Sequence, residues 1–169
     1  MRIEPFDPAR DDVAAITSLL HAAYGRHTAL GYEYRAATQD EPRTLERLNS
    51  GYALIARDDD GALLGTVTYY AAPSARDAQF VEWYRGADVG NFGQFAVAPA
   101  SQGSGIGVAL LDAIQQRARD DRKNELACET LLANEPLVAY YRRRGFRAVA
   151  TFEWDDVRGE CVVLSKALR

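Results

Sequence analysis

Gln102-Gly103-Ser104-Gly105-Ile106-Gly107 is a turn holding three glycines, and it points more directly to a ligand than any other stretch of the chain. Glycine lets a main chain come close to a ligand. The residues that follow repeat their apolar members at helical spacing, with Ile106, Ala109, Leu110, Ala113 and Ile114 on one face. A helix that begins at such a turn has unpaired N–H groups and partial positive charge at its start. That combination holds a phosphate. Two common phosphate patterns fail here. A nucleotide P-loop needs Lys and then Ser or Thr after its last glycine, but Val108 and Ala109 follow. The dinucleotide pattern G-x-G-x-x-G would end at Val108 or at Leu110, depending on the glycine counted first. A tight connection with no ligand is the competing reading.

The elements around this turn follow from periodicity and punctuation. Phe92 to Val97 is apolar and rich in aromatic and β-branched residues, which predicts a buried strand ended by Pro99. Upstream, Arg2 to Phe6 reads as a strand and Asp11 to about Tyr24 as an amphipathic helix. The segment from Gly25 reads as irregular. Asp40 caps a short helix around Thr44 to Leu48, with Pro42 in its first turn and Gly51 at its end. Tyr52 to Arg57 and Leu63 to Tyr70 form a hairpin through Asp58-Asp59-Asp60-Gly61. Ala71 to Gly90 carries no assignment. Downstream lie a strand at Glu125 to Thr130 and a helix opening at Asn134-Glu135-Pro136 and closed by Gly145. Strands Phe146 to Trp154 and Glu160 to Leu168 follow, joined around Asp155 to Gly159. The expected architecture is α/β.

Length and composition narrow the class. A chain of 169 residues with 47% hydrophobic and 26% charged residues supports one globular domain over 1–169. The net charge of −4 argues against a nucleic-acid binder. No apolar run reaches the roughly 18 residues of a membrane span, and the start lacks a secretory h-region, so the cytoplasm is the expected setting. Cys128 and Cys161 have no metal-ligand spacing and read as reduced core residues, with no metal implied.

Two separated patterns together resemble the GNAT superfamily of acyl-CoA-dependent N-acyltransferases. Gln102-Gly103-Ser104-Gly105-Ile106-Gly107 is similar to its Gln/Arg-x-x-Gly-x-Gly/Ala signature, and Phe95-Ala96-Val97-Ala98-Pro99 looks like its fourth strand. Asn134 followed by Tyr141-Arg142-Arg143-Arg144-Gly145-Phe146 resembles its second signature. The resemblance implies a GNAT-like fold. Its central mixed, mostly antiparallel sheet would have about seven strands flanked by about four helices, splayed between strands four and five. It also implies acetyl-CoA as co-substrate and transfer of its acetyl group to a primary amine of a small molecule or peptide. A non-catalytic acyl-CoA sensor of the same fold is the alternative. Many relatives are homodimers.

By the same resemblance, backbone N–H groups of Gln102, Gly103, Ser104, Gly105, Ile106, Gly107 and Val108 would cradle the coenzyme A pyrophosphate, a role the helix start supports independently. Phe95, Ala96 and Val97 would pair with the pantetheine arm, and an N–H near Ala96 or Val97 would stabilise the oxyanion. Asn134 would contact the arm and also cap its helix. Tyr141 would protonate the departing thiolate. The general base is a gap. Some relatives place a Glu early in the fourth strand, where this chain has Asn91 or Gln94. Glu82, Asp88, Glu129, His27 or a water chain are alternatives, and none is assigned. Arg142, Arg143 and Arg144 read as a solvated helix end, and Tyr32, Glu33 and Tyr34 lie where relatives shape the acceptor pocket.

Overall fold

Strand β1 (Arg2–Pro5) stops at its proline and pairs antiparallel with β2 (Tyr52–Arg57). The computed structural model describes residues 1–155 and 157–168. Between these strands lie α1 (Val13–Thr28) and α2 (Glu41–Asn49). Asp12 caps α1, its carboxylate accepting from the N–H groups of Ala14 and Ala15. The helix runs through Gly25 to Thr28, past the point where the sequence reads as irregular. Arg26 and His27 in its last turn suit the negative end of the helix dipole, and the Tyr24 and His27 rings pack with Tyr34. That tertiary packing outweighs the cost of a glycine in a helix, about 1 kcal/mol. Asp40 caps α2 through the Arg43 N–H at 2.9 Å, as the sequence predicts.

The hairpin of β2 and β3 (Leu63–Tyr70) has the expected limits, and Gly61 takes a left-handed conformation in its turn. A fifth helix, α3 (Ala75–Phe80), stands in the unassigned region. Its capping box joins Ser74 and Asp77. Then come β4 (Val89–Val97), α4 (Ile106–Asp120), β5 (Glu125–Leu131), α5 (Glu135–Arg142), β6 (Arg147–Glu153) and β7 (Glu160–Ala167). Of the expected turn between the last two strands, Asp156 lies outside the described residues.

The seven strands form one mixed sheet in the order β1-β2-β3-β4-β5-β7-β6. β4 and β5 are parallel, while β5–β7 and β6–β7 are antiparallel. The parallel register runs from Val89↔Glu125 to Asn91↔Ala127, although both strands continue beyond it. β4 begins three residues before the apolar stretch that marks it in the sequence, because Val89, Gly90 and Asn91 supply that ladder. Among the described residues, no helix is long and apolar enough to cross a membrane.

Contacts gather the chain into two units. One comprises Met1–Tyr69 and Gly93–Ile114, the other Tyr70–Phe92 and Gln115–Arg169. In the first, Ile16, Leu19, Leu20 and Leu48 of the helices bury against Ala53, Ile55 and Ala96 of the strands. Gly65 lets strand and helix approach there. A Cβ on it would stand 2.8 Å from the Ala96 carbonyl oxygen and 3.1 Å from a Leu110 methyl. In the second unit Val81, Tyr84, Val89, Ala127 and Val163 pack together. Cys128 and Cys161 are buried and are not joined in a disulfide.

Candidate functional site

In the first unit, β4 delivers the chain to the glycine turn. Ala98 N–H bonds the Leu64 carbonyl at 2.8 Å, and Pro99–Ser101 forms one 3₁₀ turn. Gly103 and Gly105 then adopt φ of +81° and +88°, a region that disfavours side chains. The first main-chain bond into α4 is Ala109 N–H to the Gly105 carbonyl at 3.0 Å. Among the described residues, no carbonyl takes the N–H groups from Gly103 to Val108. Among the described residues, nothing beyond the chain neighbours lies within 4 Å of where a Cβ on Gly103 or Gly105 would stand. The result is an open row of donors at the start of a four-turn helix, and an anion is its natural complement.

Gln102 braces the row. Its amide nitrogen donates to the Val97 carbonyl at 3.2 Å, and its amide oxygen accepts from Arg26 at 2.9 Å. Farther up β4, the Tyr24 hydroxyl donates to the Phe95 carbonyl at 3.1 Å. Ala96 is buried, with Phe95 and Val97 half-buried on either side of it. Gln94 interrupts the strand: its φ is +48°, it is 1% exposed, and neither polar atom of its amide has a partner.

In the second unit Tyr141 is buried, its ring centroid 6.0 Å from Phe92 and 5.5 Å from Phe146. Burial pushes the Cys128 thiol well up, a nearby Glu129 charge adds to this, and a hydrogen bond with Tyr141 opposes it. Tyr140 packs edge-on against Tyr141, ring centroids 5.3 Å apart, and carries the Arg144 guanidinium 3.6 Å above its ring. Arg142 and Arg143 are exposed, as a solvated helix end should be. Asn134 is 1% exposed and caps α5 through the Leu137 N–H at 3.4 Å.

The four alternatives for a base separate clearly. Glu82 and Asp88 line an open groove of about 660 Å³ in the second unit, where Asp88 accepts from the Asn124 amide at 3.0 Å. His27 is packed edge-on against Tyr34; burial and the Arg26 charge lower its pKa below 6.5. Glu129 differs from these three. Its carboxylate accepts a 2.7 Å hydrogen bond from Tyr84, which is 3% exposed. In the unassigned region the sequence marks Trp83 and Tyr84 as aromatics at a core edge or facing substrate, but no local pattern marks the pairing of Tyr84 with Glu129, 45 residues away. Among the described residues, no cluster of His, Cys, Asp and Glu could hold a metal ion. Of the acceptor-pocket candidates, Tyr34 joins the rings of Tyr24 and His27, while Glu33 is exposed.

Residues 14–146 match the family model described as acetyltransferase (GNAT) family. No curated protein matches significantly. Among solved structures, a putative acetyltransferase from Salmonella typhimurium with its cofactor acetyl-CoA superposes with a TM-score of 0.72. It is 21% identical, and the match covers 100% of this chain and 94% of that one. A GNAT family acetyltransferase from Elizabethkingia anophelis with acetyl-CoA bound gives 0.66 at 16% identity, covering 98% and 97%. The ribosomal-protein-S18-alanine N-acetyltransferase from Escherichia coli gives 0.70 at 14%, covering 99% and 93%. At these identities the likeness is one of fold.

Proposed function

The chain belongs to the acetyltransferase (GNAT) family, and from that premise we propose that it moves the acetyl group of acetyl-CoA to a primary amine of a small molecule or peptide. The observation that carries this reading is the row of N–H groups from Gly103 to Val108 that no carbonyl of the described residues takes, at the start of α4, with open space beside Gly103 and Gly105. Such a row fits the pyrophosphate of coenzyme A. Structures of the Salmonella and Elizabethkingia relatives hold acetyl-CoA, and the Escherichia coli relative is named for acetylating an alanine of a ribosomal protein.

In this reading the pantetheine arm pairs with β4 at Phe95 to Val97, as an added strand would. A β4 N–H at Ala96 or Val97 stabilises the oxyanion as the amine attacks the thioester carbonyl directly. No covalent enzyme intermediate forms. Tyr141 gives a proton to the departing thiolate, and Asn134 contacts the arm while capping α5. A thiol has a pKa of roughly 8.5, so the thiolate leaves readily and the phenol's help is modest. The setting is the cytoplasm.

A non-catalytic acyl-CoA sensor is the second reading, favoured by the amides of Asn91 and Gln94 where a carboxylate base would suit. Titration calorimetry with acetyl-CoA and thiol release with a panel of amines distinguish the two. Binding with thiol release supports the enzyme, binding without it supports the sensor, and absence of binding defeats both.

A further inference from the structure

The stretch that holds the donor row carries no positive side chain of its own. Between Arg85 and Arg117 the sequence has no Lys or Arg, so β4, the glycine turn and most of α4 lack a cation. The charged residues within that stretch are Asp88 and Asp112, both acidic. A helix start contributes only about half an elementary charge. A diphosphate is negative on both phosphoryl groups, so the backbone alone leaves most of that charge unanswered. A full positive charge at the row must come from another part of the chain.

The fold brings one there, within the first unit. Arg26 stands in the last turn of α1, and its Nη1 donates to Gln102 Oε1 at 2.9 Å. Gln102 directly precedes Gly103, where the row begins, and its amide nitrogen is tied to the Val97 carbonyl at 3.2 Å. Two residues before Arg26, the Tyr24 hydroxyl donates to the Phe95 carbonyl at 3.1 Å. The last turn of α1 is thus fastened to β4 and to the glycine turn at separate points. Arg26 also differs from other arginines of its unit. Arg10, Arg43 and Arg57 each pair with a carboxylate, at 3.7, 2.6 and 2.8 Å. Among the described residues Arg26 has no such partner, and Gln102 takes one of its N–H donors and leaves the rest. Its charge reaches His27, whose pKa is lowered by burial first and by Arg26 next. An exposed guanidinium with spare donors, held beside a row of main-chain N–H groups, matches phosphoryl oxygens.

We infer that Arg26 is a coenzyme-binding residue, supplying from α1 the positive charge that the glycine turn lacks for the diphosphate held there. This rests on the acetyl-CoA reading above. The main-chain donors fix where the diphosphate sits, and the guanidinium adds a full charge and forked N–H donors. No bond is made or broken in this role. The competing role, in which Arg26 serves only the dipole of its own helix, predicts a loss of stability and none of affinity.

The test measures acetyl-CoA binding by titration calorimetry in the wild type, Arg26→Gln and Arg26→Lys, with thermal melting to check that each is folded. In dilute salt Arg26→Gln should weaken binding about 10- to 30-fold. Arg26→Lys, which keeps the charge but not the fork, should stay within about fivefold of the wild type. The deficit of Arg26→Gln should shrink in about 1 M salt, where the screening length falls to about 3 Å. Acetyl-dephospho-CoA keeps the diphosphate and lacks the ribose 3′-phosphate, and it should show the same deficit. Unchanged affinity in Arg26→Gln, a deficit that salt leaves intact, or equal losses in both variants overturns the assignment. A deficit confined to acetyl-CoA moves Arg26 to the 3′-phosphate and overturns it too. If the wild type binds no acetyl-CoA, the coenzyme reading fails separately, and the anion site is read with inorganic pyrophosphate. The ¹⁵N amide resonances of Gly103 and Gly105 should then shift in the wild type and shift less in Arg26→Gln. Equal shifts in the two, or none in either, overturn the inference.

Discussion

At the start of α4 the first unit offers main-chain N–H groups, donors aimed by two left-handed glycines and by the helix itself. On β5 the second unit offers a carboxylate, an acceptor aimed by a phenol from a different part of the chain. The donor row needs no particular side chains, only their absence, and it suits a phosphate that many ligands share. The carboxylate's position depends on individual side chains, Tyr84 among them. General recognition is thus entrusted to backbone and selective chemistry to side chains. That division predicts how each region fails.

The largest effect should come from Gly105→Glu. No protein atom meets the new Cβ, so the cost to the fold is the left-handed conformation alone, about 1–3 kcal/mol. Its carboxylate enters the donor row, and acetyl-CoA affinity should fall more than about 100-fold, roughly 2.7 kcal/mol. Unchanged affinity by calorimetry would remove the loop from the site. Gly65→Ala asks whether the donor row depends on the packing beneath it. Its methyl would stand 2.8 Å from the Ala96 carbonyl oxygen, so β4 or α4 must shift. Urea unfolding should show a loss of about 1–3 kcal/mol.

Tyr141→Phe separates a side chain with a chemical role from a core aromatic. About a tenfold fall in kcat is expected, with KM for acetyl-CoA unchanged, a difference of about 1.4 kcal/mol. Full kcat would leave Tyr141 as packing beside Phe92 and Phe146. The smallest effect belongs to Arg147→Gln. Burial tends to raise the Glu125 pKa, but hydrogen bonds from Arg147 and Ser165 outweigh it and hold the carboxyl below 4.5. A carboxyl with a lowered folded pKa contributes stability above its unfolded value, and that contribution disappears as pH falls through the folded value. The variant should therefore lose at most about 1 kcal/mol at neutral pH. Its melting curve should converge with the wild type's at pH values well below 4.5. A gap that persists in acid would mean that Arg147 acts through packing against Trp83, 5.7 Å from its guanidinium.

The same division decides what could be read in the sequence. The β2–β3 hairpin, the Asp40 cap and the glycine turn are local patterns, and each stands where its residues predict. α3 was hidden because it is short and buries no residue, so it lacks an apolar stripe; its Ser74–Asp77 box was its only mark. α1 outruns its reading because contacts of Tyr24 and His27 with Tyr34, not propensity, carry its last turn. β4 starts early because pairing with β5, rather than hydrophobicity, makes Val89 to Asn91 a strand. The Tyr84–Glu129 pair spans 45 residues, and only the folded chain brings its members together. Backbone sites leave local signatures, whereas side-chain pairs appear once the chain is folded.

Gln94 carries a consequence for how this protein could be improved. A glutamine with φ of +48° costs about 1–3 kcal/mol, and its buried amide adds the cost of two unpaired atoms. Selection for heat resistance alone would replace it early, with glycine the natural choice. Gln94 adjoins Phe95 to Val97, the segment proposed to pair with the pantetheine arm, so selection for turnover would have reason to keep the bend it makes in β4. A library sorted in both ways should diverge first at this position, which makes β4 the place where durability and use compete.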